Sequence, residues 1–321
     1  MTQADIAGFI EAHYAALSPA PRPKFQLAGD EVLTNVCQGL GDTLLITDLP
    51  RASIGRHQAY SYGPHFKPLM KFNPWFKEVD CKPRLLFAPD VLNRYDNGNG
   101  HYFQRLRRLF GCPVEALPKP CVSWKGTRFK SRVILHFEPG PHARWQQIHV
   151  HTKARQLYPE TRASLERFIV EQPNCEFIQI GHADLRIKKA KYIPCPSTES
   201  LVNLVGSAGW FIGIISGPMH LATALGLKCV VVLNFPSAAK VVLPALKHTG
   251  LIEEGWLYPQ NVHLHQDDES PLVRHATDLN LHRAFNGELY PFWKPDWLGM
   301  VTGSQSSPVS DNGQHDYSQS G

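Results

Sequence analysis

The sequence predicts an α/β protein whose parallel sheets are covered by helices on both faces, and three observations carry that prediction. Runs such as Arg132-Val-Ile-Leu-His-Phe137, Trp210-Phe-Ile-Gly-Ile-Ile215 and Cys229-Val-Val-Val-Leu233 are apolar nearly throughout, as strands buried on both faces are. Between them lie segments with the apolar spacing of helices, over Thr161 to Gln172, Thr198 to Ser207 and His220 to Leu225. Earlier in the chain, the strand Glu31-Val-Leu-Thr-Asn-Val36 runs through the glycine turn Cys37-Gln-Gly-Leu-Gly41 into a helix over Asp42 to Ala52, the opening of a nucleotide-binding fold.

Taken in order, the chain divides into four parts. Residues 1–24 read as an amphipathic helix over Thr2 to Leu17 followed by the Pro-rich linker Ser18-Pro-Ala-Pro-Arg-Pro23. A first domain spans 25–122 and includes the strand Leu85-Leu-Phe87. It also holds a helix over Gly100 to Phe110, whose Phe103, Leu106, Leu109 and Phe110 keep helical spacing and which Gly111-Cys-Pro113 ends. The segment Pro118-Lys-Pro-Cys121 links it to a second domain over 123–300, where Phe177-Ile-Gln-Ile180 supplies a further strand. Residues 301–321 lack apolar content and read as a disordered tail.

With 321 residues, 43% of them apolar and 19% charged, the chain can bury two cores of ordinary size. Its seven cysteines are scattered, with no CxxC pair, as reduced thiols are. No stretch reaches the roughly 18 uninterrupted apolar residues of a spanning helix, and the start lacks the charged and apolar regions of a signal peptide. A cytoplasmic protein is expected, with peripheral contact at the inner face of the cytoplasmic membrane. A formal charge of +5 suits an anionic partner such as a sugar nucleotide, a phosphorylated glycolipid or a membrane surface, but is too weak to indicate nucleic acid. The densest basic run, Arg105-Leu-Arg107-Arg108, is expected to be a solvated helix face.

Two motifs could carry chemistry. Gln38-Gly39-Leu-Gly41-Asp42-Thr43 lies between a strand's carboxyl end and a helix start, where open α/β sheets place ligands. Two roles for Asp42 stand open: it caps the helix by accepting backbone N–H bonds, or it acts as a general base toward an attacking hydroxyl. The two compete, because N–H bonds to a carboxylate lower its basicity. Ser216-Gly217-Pro218-Met219-His220 follows a buried strand and opens a helix, with Pro218 at a first helical position. Small residues and a hydroxyl at a helix start bind phosphate, so a diphosphate near Ser216, Gly217 and Met219 is expected.

In this order and setting, the chain resembles the family 9 glycosyltransferases, the heptosyltransferases that use ADP-heptose. The resemblance rests on Gly39-Leu-Gly-Asp42-Thr-Leu-Leu with Leu49-Pro-Arg-Ala52, and on Gly100-His-Tyr-Phe-Gln-Arg-Leu-Arg-Arg108. Phe177-Ile-Gln-Ile-Gly181 and Phe211-Ile-Gly-Ile-Ile-Ser-Gly-Pro-Met-His-Leu-Ala222 complete it, and in all it covers roughly residues 30 to 240. It implies a GT-B architecture: two Rossmann-like, doubly wound domains facing across a cleft, acceptor on the first and sugar nucleotide on the second. Asp42 then falls on the family's catalytic base, beside an acceptor loop of Gln38, Gly39, Gly41 and Thr43. Ser216 to His220 falls on the donor-diphosphate loop, with Gly181 nearby.

The activity so implied is inverting transfer of a sugar, a heptose from ADP-heptose, to a hydroxyl of a bacterial glycolipid, glycan or protein, as in lipopolysaccharide biosynthesis. No metal and no cofactor are expected, the sugar nucleotide being a co-substrate. The chain departs from the family at Ile215, where an acidic residue usually precedes the Ser/Thr-Gly of the donor loop, and at the family's basic residue before Trp-Pro. The matching text for the latter is Lys153-Ala-Arg155-Gln-Leu-Tyr-Pro159, so Lys153 and Arg155 become the candidates for phosphate charge.

Ile215 motivates an alternative, a catalytically inactive GT-B-fold protein that binds a sugar nucleotide or acts as a scaffold. A nicotinamide-dependent dehydrogenase is a third reading, but Gly39-Leu-Gly41 is only half of a dinucleotide fingerprint. His149-Val-His151 with His136 and His142 lacks a fourth ligand at regular spacing for a metal site, and Asp267-Asp268 reads as a helix cap. Cys37, beside the turn, reads as packing.

Overall fold

The computed structural model describes residues 32–35, 39–61, 63–77, 85–87, 101–115, 119–138, 157–181, 186–233, 257–258, 260–266 and 274–289. The expected N-terminal helix and linker over 1–24 and the tail over 301–321 lie outside them. So do Cys37, Gln38, His142, His149, His151, Lys153, Arg155, Asp267 and Asp268.

Two parallel sheets organise the described residues. In the smaller, β1 (Val32–Asn35) lies between β2 (Gln58–Ser61) and β3 (Leu85–Phe87). The larger comprises β4 (Phe129–His136), β5 (Glu176–Gln179), β6 (Lys191–Tyr192), β7 (Ala208–Gly213), β8 (Lys228–Leu233) and β9 (Val262–His265). Its six strands run in the order β6-β5-β4-β7-β8-β9, all parallel. The chain builds outward from β4 to one edge and then returns to β4's other side. The crossovers therefore diverge between β4 and β7, at whose carboxyl ends sheets of this topology hold ligands.

The apolar strand runs have the burial that the sequence predicts. Val133, Leu135, Ile212, Val230 and Val232 face one side, against Leu165, Phe168 and Ile169 of α5 (Pro159–Val170) and Leu281 and Ala284 of α8 (Asp278–Phe285). Ile134, Phe211 and Val231 face the other, against Val202 and Val205 of α6 (Thr198–Gly206) and Leu221 and Ala222 of α7 (Gly217–Ala224). This second core continues into the smaller sheet's helices. It takes in Leu44, Leu45 and Ile46 of α1 (Leu40–Ile46), Phe66 and Leu69 of α3 (Phe66–Met70), and Tyr102, Phe103 and Leu106 of α4 (Tyr102–Leu109), all buried. Each such side chain contributes about 1.5–3 kcal/mol by leaving water.

Three local expectations need correction. The helix expected over Asp42 to Ala52 is two helices: α1 begins at Leu40 and ends at Ile46, and α2 (Asp48–Ala52) follows. Pro50 explains the break, since its ring excludes a continuing helical carbonyl from Ile46 and it has no N–H to donate. Thr47 closes α1, its hydroxyl donating to the Leu44 carbonyl at 2.6 Å. Second, β7 stops at Gly213, so Ile214 and Ile215 are buried loop residues rather than strand. Third, the basic run is not a solvated face: Arg105 and Arg107 are both buried, and only Arg108 is exposed.

Arg107 can be buried because Asp48 is buried with it, its guanidinium meeting both carboxylate oxygens at 2.6 and 3.0 Å. Arg51 bonds the same carboxylate at 2.6 Å and reaches Glu115 at 3.1 Å, so two cations face two anions. Burial alone would lower the pKa of Arg107, but the bonds and charges of Asp48 and Glu115 outweigh it and raise it.

Candidate functional site

Both motifs follow the central strand of their own sheet. After β1, α1 opens at Gly39, which is extended (φ −68, ψ 149) and carries no side-chain cap bond. Asp42 is thus the third helical residue rather than the cap, in the first turn, where a carboxylate meets the positive end of the helix. It is half-buried and folds back over the turn, for a Cβ at Gly39 would lie 2.6 Å from Asp42 Oδ2. A glycine at 39 is what leaves room for the carboxylate. Thr43 is fully buried, and its hydroxyl donates to the Gly39 carbonyl at 2.9 Å, so it braces the turn from inside.

After β7, α7 opens at the extended residue Ser216, whose Oγ accepts from the Met219 N–H at 3.4 Å. Gly217 and Pro218 are the first two helical residues. Pro218 has no N–H, which leaves Gly217 as the other main-chain donor of the first turn. The Met219 side chain is fully buried, so it packs the helix rather than facing a ligand. Ser216 Oγ also lies 3.0 Å from Nδ1 of His136, the last residue of β4. That bond spans the point where the strand order reverses.

His220 is buried one turn in, with Nδ1 2.7 Å from the Tyr258 hydroxyl. The Tyr258 ring lies against His101, the N-cap of α4, at 4.2 Å between centroids. Burial, and after it the carboxylate of Asp48, raises the Tyr258 phenol well above its usual pKa and keeps it protonated. Burial, and secondarily His220, holds His101 well below the usual histidine value and therefore neutral. His101 and Tyr258 are thus both neutral, as a water-excluded junction favours.

The two motifs touch. A Cβ at Gly41 would lie 3.1 Å from His220 Cδ2, and a Cβ at Gly217 would lie 2.7 Å from the Leu40 Cβ. The start of α1 therefore packs on the start of α7 across two side-chain-free positions, which brings the Asp42 turn beside the Ser216 turn.

Gly181 joins the second motif at the same sheet edge. It follows β5 with φ +116, a conformation glycine adopts without strain, and its carbonyl accepts from the Tyr192 hydroxyl at 2.7 Å. Glu138 and His136 crowd it: a Cβ there would lie 2.9 Å from Glu138 Oε2 and 3.3 Å from His136 Cδ2. The sequence reading singled out neither Glu138 nor His136 for this site, nor His101 or Tyr258. Glu138 and His136 could have been found as polar residues ending an otherwise apolar strand, the end at which sheets of this topology hold ligands. Among the described residues, no group of three or more His, Cys, Asp or Glu is placed to hold a metal ion, and no helix is long and apolar enough to cross a membrane.

No family model and no curated protein matches the chain. Solved structures do. The glycosyl transferase family 9 protein of Veillonella parvula DSM 2008 is 11% identical and superimposes with a TM-score of 0.53, covering 82% of this chain and 98% of that one. The E. coli heptosyltransferase WaaC, solved with ADP, is 10% identical with a TM-score of 0.48, covering 80% and 98%. TibC of enterotoxigenic E. coli H10407, described as an iron-containing dodecameric glycosyltransferase, is 14% identical with a TM-score of 0.45, covering 65% and 59%. The match thus spans about three fifths of TibC's length. At these identities the likeness is one of fold: a mixed α/β protein with parallel sheets, of the kind found in the family 9 glycosyltransferases.

Proposed function

We propose that the chain is an inverting glycosyltransferase that moves a sugar from a sugar nucleotide, ADP-heptose in the first instance, to a hydroxyl of a glycolipid, glycan or protein. The observation that carries this reading is the contact of Gly41 with His220 and of Leu40 with Gly217. It sets a half-buried carboxylate and a helix start suited to a diphosphate side by side, each at the carboxyl end of a central strand. In this mechanism the acceptor oxygen attacks the anomeric carbon while the bond to the diphosphate breaks. Asp42 takes the hydroxyl proton, and the first turn of α7, with the Gly217 N–H, stabilises the charge that develops on the departing phosphate. The residues around the smaller sheet would hold the acceptor and those around the larger sheet the donor. No metal takes part in the displacement, and the nucleotide product needs no further cofactor.

The test is a thermal-shift panel of sugar nucleotides followed by product analysis with the one that binds, since a ligand bound to the folded state alone raises its melting temperature. Binding of a sugar nucleotide with transfer to a hydroxyl acceptor, unaffected by chelator, is the expected outcome. Loss of transfer in EDTA and its return with a divalent ion would overturn the metal-free step.

One observation favours a second reading. Ile215, where the family usually has an acid, is 7% exposed and packs within the apolar core. A chain that binds a sugar nucleotide without transferring it is the scaffold protein this residue suggests, and the same panel separates the two: binding with no turnover on any acceptor selects the scaffold.

A further inference from the structure

In parallel sheets that bind nucleotides, the first strand ends at the phosphates, and a carboxylate beyond the second strand accepts the ribose hydroxyls. The larger sheet has this topology, with β4 as its first strand and β5 as its second. Beyond β5 stands Gly181, which has no side chain to offer. The space its side chain would fill is occupied instead by Glu138, which departs from β4: a Cβ at Gly181 would lie 2.9 Å from Glu138 Oε2. Glu138 is buried, at 8% exposure, and the His136–Ser216 hydrogen bond adjoins it on the side of the helix start. Glu138 therefore brings a carboxylate from the neighbouring strand to the end of β5, where β5 supplies none among the described residues.

We infer that Glu138 is the ribose-reading residue of this protein, accepting hydrogen bonds from the 2′- and 3′-hydroxyls of a bound nucleotide, while the diphosphate lies toward Ser216 and Gly217. The inference rests on the sugar-nucleotide reading above and adds to it a specificity-determining residue. A carboxylate suits a vicinal diol, because its two oxygens accept two hydroxyl protons, and it suits a phosphate badly. The pairing of β4 with β5 keeps the two strand ends close, and the missing side chain at Gly181 leaves Glu138 the room to lean across.

Calorimetric titration of the full chain with ADP, UDP and GDP and with their 2′-deoxy counterparts tests this without knowledge of the base. The wild type should prefer a ribonucleotide to its deoxy form by something on the order of 10- to 100-fold. Glu138→Gln, checked for an unchanged melting temperature, should lose ribonucleotide affinity and leave deoxynucleotide affinity where it was, which abolishes the preference. Glu138→Asp should lose it in part, and serves if the Gln variant does not fold. A folded variant that retains the preference, or a wild type that binds nucleotides with no preference, overturns the inference and leaves the glycosyltransferase reading intact. A wild type that binds neither these nucleotides nor ADP-heptose overturns both.

Discussion

Leu40 and Gly217 are in direct contact, one at the first residue of α1 and the other at the first residue of α7, so closely that a Cβ on the glycine would lie 2.7 Å from the leucine Cβ and 3.0 Å from its Cδ2. The absence of a side chain at 217 thus has a packing cause as well as any phosphate cause. Both starts of helix depend on it.

Gly217→Ala is accordingly expected to cost about 1–3 kcal/mol, the range for inserting atoms into a packed core. Leu40→Ala alone costs about 2–5 kcal/mol through the cavity it leaves. Combined, the two should cost less than their sum, because truncation at 40 removes the Cγ and Cδ2 that would each lie 3.0 Å from the new methyl, leaving only the Cβ at 2.7 Å to be relieved by a small shift. Chemical denaturation of the two single variants and the double variant measures this. Strict additivity would show that the two positions do not meet in solution.

The buried pair Asp48 and Arg107 yields an unequal pair of outcomes. Asp48→Asn leaves Arg107 and Arg51 facing a neutral group in a water-poor site, and should destabilise by about 3–5 kcal/mol. Asp278→Asn removes the partner of Arg167 in a pair whose side chains are 55% and 37% exposed, and should cost under about 1 kcal/mol. Melting temperatures of the two variants side by side distinguish a buried network from a surface one.

How far the sequence discloses this structure depends on whether the deciding partner is local. The strands of the larger sheet were legible because burial on both faces leaves a continuous apolar run, as in Cys229 to Leu233. The cap of α6 likewise lies within its own turn, where Ser197 and Ser200 bond reciprocally. Arg107 was misread because the acid that permits its burial stands at position 48, and nothing near Arg107 announces it. The junction of His101, Tyr258 and His220 was invisible for the same reason, its members coming from three separate segments. Asp42 was legible as to place, and of the two roles open to it the helix cap falls instead to Gly39, because α1 starts at Leu40 and not at Asp42.

Stability should begin to fall as the pH drops below about 6.5, before most carboxylates titrate, and should go on falling toward about pH 3. Burial, then the nearby His265 and Arg274, lowers the His263 pKa to about 3, and His101 is also held well below 6.5. Where the folded pKa lies below the unfolded one, the unfolded state binds the extra proton. The contribution is therefore whole above the unfolded value and is lost as pH falls through the folded value. For His263 this amounts to about 3–5 kcal/mol over that interval. Denaturation at pH 7, 5 and 4 should show a shallower decline for His263→Gln than for the wild type. Parallel pH profiles would mean that His263 is protonated with equal ease in both states.

Asp42→Asn decides the mechanism. Asp42 is the third residue of α1, the cap position belongs to Gly39, and the carboxylate lies back over Gly39. Asparagine keeps the size of the side chain and most of its hydrogen bonding while removing its basicity. If Asp42 receives the acceptor proton, turnover should fall by something on the order of 10²–10⁴-fold, and donor affinity should be nearly unchanged, because the proposed diphosphate site lies at α7 and not at Asp42. If the carboxylate serves only the helix, its loss costs about 0.3–1 kcal/mol of charge–dipole stabilisation, and turnover survives. Gly39→Ala offers an independent approach: its methyl group would press on Asp42 Oδ2 and displace the carboxylate while leaving it charged. A base should then lose activity through misplacement, with the pH dependence of the remaining rate still that of a carboxylate. Turnover, donor affinity and melting temperature measured on both variants separate the roles. Near-wild-type transfer by a folded Asp42→Asn protein, on an acceptor shown to be used, removes Asp42 from the chemical step.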